Sequence, residues 1–75
     1  MSNSKIDRRV KYTKMVLRQS LLELMKSKPI DKITVKEICE LADINRGTFY
    51  SHYSEPRALL EQIQNELFND IKATL

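Results

Sequence analysis

One glycine and two prolines among 75 residues leave this chain few ways to turn sharply. A multi-stranded sheet needs frequent tight turns, and glycine and proline supply most of them. A chain this poor in both is expected to be all-α, with short links between its helices. Its length allows one small domain, and a hydrophobic content of 41% is enough to fill a small core.

The apolar spacing places the helices. Val10, Leu17, Leu21, Leu24 and Met25 recur at helical intervals and predict a first helix over residues 8–26. Residues 1–7 are polar and are expected to be a flexible N-terminus. Pro29 then breaks the pattern, with Ile30 and Ile33 expected to plug the core from the loop. Thr34, Val35, Lys36 and Glu37 have the form of a capping box, in which the Thr hydroxyl and the Glu carboxylate each serve the other's backbone. Val35, Ile38, Leu41 and Ala42 share one face of a second helix about two turns long. Asp43 and Ile44 make the turn, where one residue is expected to be left-handed; Asp tolerates this, although Gly does so more easily. Asn45 is the expected cap of a third helix. Ser54 is the expected cap of a fourth, with Pro56 in its first turn.

Leu59, Leu60, Ile63, Leu67, Ile71 and Leu75 stripe that fourth helix, and Phe68 adds a flank. The pattern is still apolar at Leu75. The expectation is an N-terminal piece of a longer protein, the lower half of this helix packing on a C-terminal domain absent here. A complete small protein that frays or self-associates is the other reading.

Charge is divided unevenly. Residues 1–36 carry ten Lys/Arg against Asp7, Glu23 and Asp31, a net of +7, whereas residues 37–75 carry a net of −4. Arg8, Arg9, Lys11, Lys14 and Arg18 crowd the start of the first helix, where positive charge opposes the helix dipole. Such a surface suits a polyanion, although a basic run alone also fits a solvated helix face. Cys39 is the only cysteine, so no internal disulfide and no cysteine-based metal site can form; beside Ile38 it reads as a small buried hydrophobe. No apolar run approaches the roughly 18 residues that span a membrane, and no secretory signal is visible. The expected location is cytoplasmic, with no membrane partner. One His, one Cys and no Gly-rich phosphate loop argue against an enzyme, and no cofactor or metal is expected.

The third helix points to a partner. With Phe49 turned to the core and about 100° per residue, Tyr53 and His52 flank the inside. Gly47 and Ser51 point away, and Thr48 and Tyr50 take the shoulders. This outer face is small and hydroxylated, on a helix of roughly 10 Å. The major groove of B-DNA is about 12 Å wide and admits it. Gly47 allows close approach to base edges. Thr48 offers a hydroxyl and a methyl to a base or phosphate, and Ser51 a short hydrogen-bonding group. Tyr50 and His52 suit phosphates. Arg46 is the candidate guanine contact, and Thr34 and Lys36 would clamp the neighbouring backbone. Taken singly, Tyr50 could be partly buried packing and His52 a packed imidazole. Their shared phase on one short helix favours the joint reading.

RGTFYSHY at residues 46–53, preceded by ITVKEICELADIN and followed by an amphipathic helix, resembles the DNA-binding domain of the TetR family of bacterial transcriptional regulators. The resemblance covers about residues 9–65. It implies a homeodomain-like three-helix bundle over residues 8–54, a helix-turn-helix at about 34–53, and a connecting helix over 55–75. DNA contacts are implied at Thr34, Val35, Lys36, Asn45, Arg46, Gly47, Thr48, Tyr50, Ser51 and His52. Two positions depart from the family pattern: Asp43 stands where Gly is usual, and Pro56 where a phosphate-clamping Lys is frequent, with Arg57 a weak substitute. The resemblance further implies a homodimer held by the missing C-terminal domain, a small-molecule effector bound there, and repression at a palindromic double-stranded operator. A helical protein-interaction module using the apolar half of the fourth helix is the alternative from another class.

Overall fold

The computed structural model describes the backbone of residues 4–74 and the side chains of residues 8–69, 71 and 72. Four helices follow one another: α1 (Ser4–Leu24), α2 (Val35–Ala42), α3 (Arg46–His52) and α4 (Pro56–Thr74), with a 3-10 turn at Ile30–Lys32. Among the described residues there is no strand. The helix α1 begins four residues before the expected start, so residues 4–7 of the predicted flexible terminus are helical, while residues 1–3 and Leu75 lie outside the described residues.

Each boundary has a local cause. The helix α1 ends at Leu24 rather than at residue 26 because the chain tightens there into i+3 bonds, Lys26 N to Glu23 O at 3.2 Å among them, and Pro29 has no N–H to continue the ladder at Met25 O. Leu24 O accepts from Ser27 N at 3.1 Å, Lys28 N at 3.0 Å and Ser27 Oγ at 3.3 Å. Pro29 then donates nothing and starts the 3-10 turn, which presents Ile33 to the core. The capping box of α2 forms as expected: Glu37 N donates to Thr34 Oγ1 at 3.1 Å, and Thr34 N donates to Glu37 Oε1 at 3.2 Å.

At the other end of α2, Asp43 adopts φ 58° and ψ 46°, the left-handed residue that the turn was expected to need. Ile44 N donates to Cys39 O at 3.0 Å and Asp43 N to Glu40 O at 3.4 Å. This is the two-bond Schellman closure, with Ile44 folding back on the core as its apolar contact. Asn45 caps α3 by accepting from Thr48 N at 2.7 Å. For α4 the expectation fails by one residue. Glu55 O, not Ser54, accepts the first helical bond, from Ala58 N at 3.1 Å, and Pro56 opens the helix where its missing N–H costs nothing.

The core is Leu17, Leu21, Ile33, Ile38, Cys39, Phe49, Tyr53, Leu59 and Ile63, with Phe49 fully buried. Val10 is only half-buried. Leu41 was expected on the apolar face of α2 but is 51% exposed. It follows Ile38 by three residues, which at about 100° per residue carries it about 60° further from Cys39. On α4 the apolar stripe splits. Leu59 and Ile63 are buried, whereas Leu67, Phe68 and Ile71 are each more than half exposed. Arg18 of α1 pairs with Glu66 of α4 at 3.2 Å, just where that burial ends.

Candidate nucleic-acid interface

The helix α3 has only seven residues, too few to persist alone in water. Phe49 and Tyr53 hold it, their rings 5.7 Å apart in the core. This fixes its rotation. Gly47, Tyr50 and Ser51 are exposed, Thr48 and His52 half-buried. The expected outer face is therefore present, and nothing among the described residues covers it. Tyr50 stands edge-on to Phe49, ring centroids 5.6 Å apart, while remaining 56% exposed. The buried ring thus steadies an exposed phenol.

Some hydroxyls are less available than their residue types suggest. Ser51 Oγ donates to Thr48 O at 2.7 Å, so it faces outward as an acceptor only. Thr34 Oγ1 donates to Glu37 Oε1 at 3.2 Å, and the Thr34 N–H donates to the same oxygen. Both Thr34 donors are spent within the capping box. The outward donors at this helix start are then the backbone N–H groups of Val35 and Lys36, which no earlier turn can satisfy, and the exposed Lys36 side chain.

The phase of Gly47 matches the expectation, but a second reason for it comes only from the structure. A Cβ built there would meet the capping oxygen of Asn45 at 3.3 Å, and the backbone has no positive φ at this glycine. The glycine gives the cap room. Arg46 is exposed and lines an open hollow of about 380 Å³ with Lys36, Cys39, Glu40, Asp43, Ile44 and Asn45. Two cations and two carboxylates share that hollow, so it is no anion pocket. Burial raises the Cys39 thiol above its ordinary pKa, with the Arg46 charge opposing. Such a thiol is a packing group rather than a nucleophile. Arg57, the weak substitute for the clamp, is paired with Asp31.

Sequence reasoning missed Lys28. Its ammonium pairs with Glu37 Oε2 across nine residues, a contact no local pattern announces. That hydrogen bond, helped by those from Thr34 and opposed by partial burial, holds the Glu37 carboxyl below its ordinary range. A lowered carboxyl contributes stability above the unfolded-state value and loses it as pH falls through the folded value. Thermal midpoints should therefore drop as the solution is acidified below the ordinary glutamate range. The drop should be shallower for Glu37→Gln; an unchanged profile would deny Glu37 this role.

No group of three or more His, Cys, Asp or Glu able to hold a metal exists among the described residues, and no described helix is long and apolar enough to cross a membrane. Residues 18–63 match the family described as bacterial regulatory proteins, tetR family. A curated relative, the uncharacterized HTH-type transcriptional regulator YxbF of Bacillus subtilis (strain 168), is 33% identical over 51 residues, covering 68% of this chain and 13% of that protein. The chain thus spans far less than two thirds of this relative's length. No solved structure matches the chain. With its two short helices, left-handed turn and outward hydroxylated face, the chain belongs to the tetR family of bacterial regulatory proteins and carries that family's helical, helix-turn-helix DNA-binding domain.

Proposed function

We propose that this domain docks α3 in the major groove of double-stranded DNA and regulates transcription in the cytoplasm by occupying an operator. The observation that carries the reading is the rotation of α3. Burial of Phe49 leaves Gly47, Tyr50 and Ser51 outside, on a helix narrow enough for the groove. Direct reading of base edges falls to Arg46, Gly47, Thr48 and Ser51. Tyr50 and His52 contact phosphates on one side of the groove. Lys36, with the helix start at Thr34 and Val35 and the cap at Asn45, contacts them on the other. The whole protein is proposed to be a homodimeric repressor at a palindromic operator, its half-sites about one helical turn or a multiple apart. Release by a small molecule bound in a C-terminal domain belongs to the same proposal.

Tyr50→Ala tests the docking. Its phenol is exposed, so truncation should leave the fold intact while weakening binding to every DNA sequence by a similar factor, about tenfold for one lost contact to a charged phosphate. Anisotropy titrations with several unrelated duplexes would measure this. Unchanged affinity across all of them would remove α3 from the interface.

A further inference from the structure

The start of α2 presents a conflict of charge. It is proposed to meet a phosphate through Lys36 and the N–H groups of Val35 and Lys36, yet Glu37 lies in the same turn. The capping box needs that carboxylate, because Oε1 accepts from Thr34 N and Thr34 Oγ1. A carboxylate so placed repels an incoming phosphate unless its charge is offset and its outer oxygen is held away. The structure shows one group doing both. Lys28, from the loop after α1, donates to Glu37 Oε2, the oxygen the cap does not use.

We infer that Lys28 is a positioning residue for DNA binding, acting through Glu37 rather than on the phosphate. It draws the outer oxygen of Glu37 toward the loop and leaves the exposed Lys36 side chain and the Val35 and Lys36 N–H groups as the groups a phosphate meets at the start of α2. The pair is not fully wet: the side chains are 43% and 28% exposed for Lys28 and Glu37. Another cation between α1 and α2, Lys26, pairs instead with Glu23 at the end of α1. It therefore measures what a surface lysine contributes when its ion pair does not involve α2. The inference rests on the proposed DNA contact at α2.

The experiment is a double-mutant cycle on the full chain, read by anisotropy with a mixed-sequence DNA duplex, with circular dichroism showing each variant folded. Lys28→Met should weaken binding about fivefold at low salt, as expected for one charge exposed near a phosphate. In the Glu37→Gln background, where the cap survives without charge, the same change should cost only what Lys26→Met costs, about twofold or less. Lys28→Arg should retain affinity. A lysine that itself touched phosphate would cost the same whether or not Glu37 is charged, because its contact would not run through that carboxylate. Equal losses in both backgrounds overturn the inference. Tyr50→Ala on the same duplex separates the two levels. If it weakens binding while Lys28→Met does not, only the role of Lys28 fails. If it too has no effect, the DNA reading fails and the role of Lys28 with it.

Discussion

Phe49→Ala should abolish the cooperative thermal transition of this domain, or lower its midpoint by more than about 15 °C. Phe49 is fully buried, touches the ring of Tyr53 and is the main attachment of a seven-residue helix. Removing a buried phenyl costs about 3–5 kcal/mol. A core of this size rarely supplies more than about 3–5 kcal/mol in total. At about 4–8 °C per kcal/mol in a domain this small, the loss consumes most of the stability. DNA binding should vanish with the fold, in contrast to Tyr50→Ala, where the fold survives. Circular dichroism on heating checks both variants. A Phe49→Ala protein melting within a few degrees of wild type would show that α3 is held by something else.

The second large effect is on salt. With about four phosphates neutralised by Lys36 and the basic residues of α1, the observed affinity for duplex DNA should fall about a hundredfold between roughly 50 and 200 mM salt, a logarithmic slope near −3.6. Lys36→Ala should reduce that slope by about 0.9. The alternative of an apolar interaction module through Leu67, Phe68 and Ile71 makes the opposite prediction, because burial of apolar surface is not weakened by added salt. Titrations at several salt concentrations decide between them. A flat dependence would transfer the argument to the exposed part of α4.

The elements of this fold were legible because local chemistry and global packing agree. The capping box at Thr34, the left-handed Asp43, the Asn45 cap and the inward Phe49 each follow from residue type and spacing, and each is present. The misplaced details were those decided by neighbours in space. Leu41 had the right polarity for the core but the wrong angle. Ser54 was the better cap by chemistry, yet Pro56 fixed the helix start and gave that place to Glu55. Ser51 reads as an outward hydrogen-bonding group and Thr34 as both cap and backbone clamp, because a sequence does not show which protons the fold has already used. Lys28 was invisible for a related reason. Its partner lies nine residues away across a break between helices, where helical periodicity does not extend.

The junction at Tyr53 has a mechanical consequence. This residue closes α3 through its N–H to Phe49 O at 2.9 Å, buries its ring beside Phe49, and stands three positions before Pro56. The ties from Arg57 to Asp31 and from Arg18 to Glu66 brace the same stretch of α4 at both ends. The first half of α4 is thereby tied to α1 and the 3-10 turn, the frame that also carries α3. Under the proposed docking, a tilt imposed beyond Glu66 is expected to turn that frame and shift α3 on the DNA like the short arm of a lever.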